Sequence, residues 1–384
     1  MQRRAFFTAM ARYTTAVALA PAEQLAQLAV PLLSPASARA AETPGVLSVL
    51  QTGAKGDGTA DDTDAIQAAI DRSDRVAVPA AAKYYKITRP LVLRSGTQFV
   101  GEGEGSHIHS TSTSRSGGIK AAGTRDKRLS GLLVRDIKLT GLATYANGRP
   151  SVSNGAGIDI KLADDSAIFR CRVSGWSDNG IGFTDGQRNS ILLNQVDSTA
   201  QGVQFFAMDI DCYDNRLIGN VVTNTGTYNG YHVEGHAGKG PGMMYRTIVV
   251  CNSSDGSWGL GGNVENAPQS VVVGNVSRNS GRVGASGPTI LHGLLLFGSP
   301  GSVVSNNVAT GNAGYGIVVG ARCGNCTVEG NITEGNHLGS CLVTDSGGVA
   351  PTRNVVFGPN TWKEGNPAIK GDASFVKRQT GSSR

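Results

Sequence analysis

One short pattern recurs eight times between residues 157 and 343: a glycine, followed by alternating apolar and variable residues. Its copies begin at Gly157, Gly180, Gly202, Gly230, Gly259, Gly293, Gly316 and, with serine in place of glycine, Ser340. These starting residues lie 22 to 34 positions apart. A period of this size with strand-type alternation is typical of solenoids, in which each repeat is one turn stacked on its neighbour. The sequence therefore predicts an all-β, single-stranded right-handed parallel β-helix.

A second pattern lies roughly midway between these glycines. Two or three aliphatic residues precede an asparagine, at Asn220, Asn252, Asn275, Asn307 and Asn331. Asparagines at the same corner of successive coils can pair their amides, which satisfies side chains that are otherwise costly to bury. We therefore expect an asparagine ladder along one corner of the solenoid.

The first forty residues have the features of an export signal. Arg3 and Arg4 resemble the twin-arginine motif, a moderately apolar stretch follows, and Ala38-Arg39-Ala40 offers a small-x-small cleavage site. This pattern predicts a twin-arginine-type signal peptide at 1–40 and a periplasmic or extracellular mature protein. Beyond the signal, the sequence predicts no transmembrane segment.

The net charge of the chain gives little support for a nucleic-acid partner. It is +6, and four arginines and one glutamate within residues 1–40 contribute half of that excess. The remaining charge is too small to indicate a DNA-binding surface. We assign residues 41–365 to the β-helix and residues 366–384 to a polar and basic C-terminal tail.

Residues 45–75 predict a capping segment. Asp61 or Asp62 can cap a short helix whose Ile66, Ala69 and Ile70 share one side. The elements Gly-Asp-Gly at 56–58, Asp-Asp-Thr at 61–63 and Ala-Ile-Gln at 65–67 resemble the N-terminal signature of the pectate-lyase-like superfamily, which includes polygalacturonase-like hydrolases and phage tailspike-type depolymerases. The resemblance implies a β-helix with a short N-terminal capping helix and a polysaccharide partner.

Alternation also predicts which side chains face outward in the glycine-led strand. His232 and Glu234 project together there, with Gly261 alongside leaving room and Phe206 able to offer a ring face to a sugar. Insertions at residues 235–245 and 280–290 frame the position, as loops around a site on a regular scaffold do. We take Glu234 and His232 as the centre of a candidate catalytic site.

Further candidates lie on the adjoining turns. Asp209 and Asp211 are additional catalytic candidates, and His236, Lys239 and Arg246, with Phe206, are candidate substrate-binding residues. Two carboxyl groups suit glycoside hydrolysis, whereas a base with a neighbouring cation suits elimination on a uronate. The Asp-Pro-His-Asp run of mannuronan epimerases is absent, although Asp209-Ile-Asp-Cys stands at a comparable place.

Three functions therefore stay open at the level of sequence. The first is an exported enzyme that cleaves an acidic polysaccharide by β-elimination or hydrolysis. The second is a non-catalytic scaffold that binds surface polysaccharide, and the third is a uronate C5-epimerase.

Two expectations concern metal binding and disulfides. The superfamily resemblance makes Ca²⁺ a candidate cofactor, with Asp209, Asp211 and Asp214 as hard oxygen ligands on one short turn. Among the six cysteines, Cys323, Cys326 and Cys341 lie close enough in the repeat to hold one disulfide.

Overall fold

The computed structural model describes residues 45–113, 117–236, 242–281, 283–284, 287–288, 291–344, 355–363, 368–370 and 376–378. The predicted signal peptide at 1–40, the candidate Lys239 and most of the tail at 366–384 lie outside these residues. No helix in the described part of the chain is both long and apolar enough to cross a membrane.

The chain forms a right-handed parallel β-helix, as the repeat predicts. Three parallel sheets run its length, and each coil contributes one strand to each sheet. Four long strands bend from one sheet into the next, namely Gln98–Ser110, Leu133–Thr140, Arg172–Thr184 and Gln195–Ala207.

The first sheet contains the N-terminal halves of Gln98–Ser110 and Leu133–Thr140. Its other strands are Leu47–Ser48, Arg75–Val78, Ala167–Phe169, Ser190–Leu192, Arg216–Ile218, Ile248–Val250, Val271–Val273, Val303–Ser305, Thr327–Glu329, Val355–Phe357 and Val376–Arg378.

The second sheet takes the C-terminal halves of those two strands and the N-terminal halves of Arg172–Thr184 and Gln195–Ala207. Its other strands are Asp57–Asp61, Tyr84–Ile87, Val221–Thr223, Ser253–Asp255, Val276–Arg278, Val308–Thr310, Ile332–Glu334 and Thr361–Trp362.

The third sheet carries the glycine-led strands. It contains the C-terminal halves of Arg172–Thr184 and Gln195–Ala207, together with Leu91–Val92, Ile119–Ala122, Ile158–Lys161, Tyr231–Gly235, Gly262–Glu265, Leu294–Phe297, Tyr315–Val319, Gly339–Thr344 and Ala368–Lys370.

Among the described residues, four short strand pairs lie in the turns between these sheets. They are Leu129–Ser130 with Ala163–Asp164, Cys212–Tyr213 with Met244–Tyr245, Tyr145–Ala146 with Arg149–Pro150, and Val283–Gly284 with Gly287–Pro288.

Close approach of successive coils explains the repeated glycine. A Cβ on Gly157 would lie 2.6 Å from the carbonyl oxygen of Gly180 in the next coil, and one on Gly261 would lie 2.7 Å from that of Gly293. Both distances are shorter than any normal contact. Glycine is therefore required where the next coil comes this close, which is why it marks the coils from Gly157 to Gly316, whereas serine, Ser340, begins the last copy.

Inward residues of all three sheets form the core, and those of the third sheet are the ones that the alternation predicts. The predicted set is fully or almost fully buried, namely Ile181, Phe183, Val203, Phe205, Val233, Leu294, Leu296, Ile317 and Val319. Phe183 and Phe205 stack on neighbouring coils, with ring centroids 5.6 Å apart. Burial of these side chains is the main source of stability in such a fold.

The predicted asparagine ladder is present and is longer than the sequence pattern indicated. Each side-chain amide donates to the Oδ1 of the next asparagine at 2.9 to 3.0 Å. The ladder adds one member at each end of the predicted five: Asn194, Asn220, Asn252, Asn275, Asn307, Asn331 and Asn360. Each Oδ1 also accepts from the backbone N–H of the preceding asparagine.

A short N-terminal helix, Thr63–Arg72, packs against the first coils, with Ile66, Ala69 and Ile70 buried as predicted. Asp62 is its N-cap residue by position, but its carboxylate accepts instead from the backbone of Lys55 and Gly56. The carboxylate of Asp61 accepts from the Thr63 backbone N–H at 3.0 Å.

One predicted register is wrong. The fifth glycine-led copy begins at Gly261 rather than Gly259, because Tyr231 pairs with Gly262 and His232 pairs with Asn263. The buried Tyr231 ring occupies the space that an inward side chain at position 262 would fill, and its hydroxyl lies 3.0 Å from Ser277 Oγ. The shift of two residues keeps Asn263 outward and brings Glu265 beside Glu234.

Candidate functional site

His232 and Glu234 lie two residues apart on the Tyr231–Gly235 strand, and their side chains contact each other. His232 Nε2 is 2.8 Å from Glu234 Oε2, which is close enough for an ion pair, but the two groups are not aligned for a hydrogen bond. Gln201 Nε2 donates to His232 Nδ1, which places the imidazole proton on Nε2, beside Glu234. His232 is only 7% exposed, so its side chain contacts Glu234 but barely reaches the solvent.

The residue that sequence reasoning missed is Glu265. It pairs in register with Glu234 on the adjacent coil, so the two carboxyl-bearing side chains leave neighbouring strands on the same face. Burial raises the pKa of the Glu265 carboxyl above its ordinary value, and the charge of Glu234 raises it further. The Asn263 amide, His232 and Arg322 oppose these effects. Two carboxyl groups with different environments are thus held side by side.

Polar atoms without hydrogen-bond partners surround this pair. Neither His232 Nε2 nor Asn263 Oδ1 has one among the described residues, although both atoms are buried and their residues pair in register. Asn263 Nδ2 reaches Glu265 Oε2 at 3.4 Å. Buried polar atoms are nearly always satisfied, so two such atoms beside a carboxyl pair indicate a functional position. Asn263, rather than the expected Gly261, lies alongside His232.

Phe206 and His236 join the site. Phe206 pairs in register with Glu234, on the side opposite Glu265. The rings of Phe206 and His236 meet edge to face, with centroids 6.1 Å apart. Both of these predicted substrate-binding residues therefore lie next to Glu234.

Asp209 and Asp211 have other partners. Asp209 forms a 3.6 Å surface ion pair with Arg125, and both side chains are more than half exposed. Asp211 accepts from the backbone N–H of Met243, which anchors the insertion after the Tyr231–Gly235 strand. Neither has a described contact with Glu234, and both fit structural or peripheral roles.

Arg246 is paired away from the carboxyl groups. Its guanidinium makes a bidentate ion pair with Asp214, at 2.8 and 2.9 Å, and lies over the Tyr213 ring. Asp209, Asp211 and Asp214 thus interact with three different groups, and no cluster of metal-ligating residues forms among the described residues. The expected calcium ligands do not fit a shared site.

Arg322 is a cation near the carboxyl pair, and no sequence pattern pointed to it. Its guanidinium lies 5.1 Å from the centre of the Phe297 ring, and Nη2 donates to Asn266 Oδ1 at 3.4 Å. Phe297 pairs in register with Glu265, and the charge of Arg322 acts to lower the pKa of that carboxyl. Neither of these contacts is a carboxylate. The Arg322 guanidinium is therefore available to pair with an anionic ligand.

The expected disulfide is not formed. All six cysteines are free, including Cys323, Cys326 and Cys341. A hydrogen bond from the Cys323 thiol lowers the pKa of the Cys326 thiol. Cys323, Cys326 and Cys341 are buried as thiols.

Comparison with known families supports the fold assignment. A family described as "Rhamnogalacturonase A/epimerase, pectate lyase-like" matches residues 46–256, and one described as "Right handed beta helix region" matches residues 242–357. No curated protein matches the sequence significantly.

Several solved structures share this architecture. The A-module of a mannuronan C-5 epimerase from Azotobacter vinelandii is 18% identical, with a TM-score of 0.56 over 86% of this chain and 97% of that one. A polygalacturonase from Erwinia carotovora is 12% identical, with a TM-score of 0.58 over 85% and 94%. An alginate lyase from Paenibacillus is 16% identical, with a TM-score of 0.50 over 82% and 97%.

At these identities the structural matches establish a shared fold. The first family match is stronger evidence, because it covers more than half of the chain and includes both the capping segment and the strand that carries His232 and Glu234. The chain therefore belongs to the pectate lyase-like family of rhamnogalacturonase A and epimerase proteins.

Proposed function

We propose that the protein is an exported enzyme that cleaves a uronate-containing polysaccharide, with Glu234 and Glu265 as its two catalytic carboxyl groups. The single observation that carries the proposal is their in-register pairing on adjacent coils, combined with the raised pKa of Glu265. Glycoside hydrolysis requires one carboxyl group that holds its proton and one that is ionised.

Glu265 is the candidate general acid. Its raised pKa keeps the proton available for the glycosidic oxygen of the leaving group. Glu234 is the candidate nucleophile or base, and its Oε2 lies 2.8 Å from His232 Nε2. The orphaned Asn263 Oδ1 can accept a hydrogen bond from a substrate hydroxyl or a water.

The carboxyl spacing favours retention of anomeric configuration. Both glutamates lean toward the residue two positions earlier on their own strands, Glu234 toward His232 and Glu265 toward Asn263. Their backbones are one strand spacing apart, ~4.8 Å, and we take the carboxyl groups to have a similar separation. Retaining enzymes hold their carboxyl groups about 5–5.5 Å apart, and inverting enzymes about 6.5–9.5 Å.

Arg322 supports an acidic substrate and keeps elimination as the second candidate reaction. A guanidinium beside the carboxyl pair can neutralise a uronate carboxylate, which lyase chemistry needs before a base removes the neighbouring proton. Lys239 and Arg246 were the cations predicted for this role. Arg322 is the better candidate, because the guanidinium of Arg246 is engaged by Asp214.

A polysaccharide panel tests the proposal. Purified protein is incubated with polygalacturonate, alginate and rhamnogalacturonan, and reducing ends, unsaturated uronates and the anomer first released are measured. Glu234→Gln and Glu265→Gln should each lower the rate by about 10²- to 10⁴-fold. Glu329→Gln, at an outward position of the first sheet, is the matched control and should retain activity.

The product identifies the reaction. New reducing ends without unsaturation indicate hydrolysis, unsaturated ends indicate elimination, and altered uronate without cleavage indicates epimerisation. If both glutamine variants stay within a few-fold of the parent rate, the carboxyl pair is not the catalytic centre. Binding without any product would favour the non-catalytic scaffold.

A further inference from the structure

A cleft lies on the turns that lead from the second sheet to the third. Its volume is about 310 Å³, at the lower end of the range for small-ligand sites. Asn224 and Gly256, which line it, directly follow strands of the second sheet, and Ser198 follows the second-sheet part of Gln195–Ala207. Glu234 and Glu265 lie on the third sheet beyond these turns. The cleft is therefore separate from the carboxyl pair.

A hairpin from an earlier coil forms one wall of this cleft. Asn147 and Gly148 connect its strands, with φ of 51° and 74°, as a tight two-residue hairpin turn requires. Tyr145 donates its hydroxyl to the Trp176 carbonyl at 2.7 Å, and Thr227 Oγ1 donates to the Gly148 carbonyl at 2.9 Å. These bonds fix the hairpin at its base and at its tip.

The indole of Trp258 packs against that tip. A Cβ on Gly148 would lie 2.7 Å from the Trp258 ring, so glycine is required for the contact. Trp258 remains half-buried and lines the cleft together with Tyr145. The two rings supply the small apolar part of an otherwise polar lining, and aromatic rings held in fixed positions can pack against the C–H groups of a sugar.

The polar side chains that line the cleft are uncharged, and hydrogen bonds to Asp197 fix the orientation of two of them. Asn224 Nδ2 donates to Asp197 Oδ1 at 2.9 Å and Ser198 Oγ donates to Asp197 Oδ2 at 2.6 Å, so the carboxylate lies behind the lining. With its nitrogen held this way, the Asn224 amide presents Oδ1 as an acceptor for a hydroxyl. None of the described residues that line the cleft is charged. A nearby carboxylate and the lack of a lining cation disfavour an anionic ligand.

We propose that this cleft binds an uncharged saccharide unit, with Trp258 and Tyr145 as the apolar surface and Asn224 and Asn147 as hydroxyl partners. The site would recognise a neutral part of a glycan, in contrast to the acidic unit proposed for the carboxyl pair. This proposal does not depend on catalysis at Glu234 and Glu265.

Calorimetric titration of the full chain with cellohexaose, mannohexaose and maltohexaose tests the site, with hexagalacturonate as the acidic counterpart. We expect at least one neutral hexasaccharide to bind, and Trp258→Ala to weaken that binding roughly tenfold or more. Tyr228→Ala is the matched control, because Tyr228, on the turn that carries Asn224, is 54% exposed and does not line the cleft. It should bind as the parent does.

Asn224→Ala provides a second test that leaves the indole in place, and it should also weaken binding. Glu234→Gln should bind the neutral hexasaccharide normally, which separates this site from the catalytic proposal. Failure of all three neutral probes to bind would overturn the inference. It would also be overturned if affinity were unchanged in both Trp258→Ala and Asn224→Ala, or if hexagalacturonate were the preferred ligand of the cleft.

Discussion

The contact between Tyr231 and Gly262 offers a sharp test of the coil register at the site. Tyr231 faces inward, is fully buried and places its hydroxyl 3.0 Å from Ser277 Oγ. A Cβ at position 262 would overlap the Tyr231 ring. Since the ring is enclosed by the core and bonded at its far end, it has little room to move aside.

Gly262→Val should therefore overpack the core. Such insertions cost about 1–3 kcal/mol and sometimes more, and a ring as its direct neighbour places this one at the upper end. Tyr231→Val alone should cost about 2–4 kcal/mol through the cavity that it leaves. The double variant fills that cavity with the new side chain and reproduces the aliphatic inward residues of the neighbouring coils, Val203 and Leu294.

Urea unfolding of the four proteins measures the coupling. We expect the double variant to be more stable than the sum of the single costs predicts, by an interaction energy of about 1–3 kcal/mol. The single Gly262→Val should also reduce polysaccharide cleavage, because the same strand carries Asn263 and Glu265. Strictly additive free energies would refute the reasoning, since they would mean that positions 231 and 262 do not share one space.

Two further predictions follow from other contacts. Asn252→Ala removes the hydrogen bonds from its amide to the Leu217 carbonyl and to the next asparagine, and it leaves the Asn220 backbone N–H unpaired. Denaturant unfolding should show that the free energy of unfolding falls by about 2–6 kcal/mol. Asn360→Ala should cause a smaller fall, because Asn360 is only half-buried. The pKa of Glu265 is raised above its ordinary value of 4.5, so the folded protein holds this proton more tightly than the unfolded chain does. The native state therefore loses stability as pH rises from 4.5 through the pKa of Glu265 in the folded protein. Glu265→Gln should therefore melt higher than the parent at neutral pH and equally below pH 4.5; a constant difference in melting temperature across pH would contradict this.

The sequence predicted the regular part of the fold because its signals are local. Alternation assigns Phe183 and Phe205 to the interior without any knowledge of neighbouring coils, and the asparagines repeat at one corner. The capping helix is similarly marked by its own apolar side at Ile66, Ala69 and Ile70. Each of these features depends on spacing along the chain, which the sequence displays directly.

The register around Glu265 could not be obtained in this way. Glycine stands at 259, 261 and 262, and only the Tyr231 ring in the previous coil shows why position 262 lacks a side chain. A search for outward glutamates two residues after a polar outward residue would have found both His232-Val-Glu234 and Asn263-Val-Glu265. Arg322 and the cleft at Trp258 depend on contacts between distant coils, for which the chain carries no periodic signal.

These two three-residue segments also indicate how a repeating scaffold can give two identical side chains different roles. The strand register places Glu234 and Glu265 at equivalent positions, so backbone geometry alone cannot distinguish them. The residue two positions earlier does: His232 brings an imidazole nitrogen within 2.8 Å of one carboxylate, whereas Asn263 offers the other a neutral amide at 3.4 Å. The exchange of histidine for asparagine, together with the burial that raises the pKa of Glu265, thus gives the two carboxyl groups different environments, which is the condition that acid–base catalysis by a carboxyl pair requires.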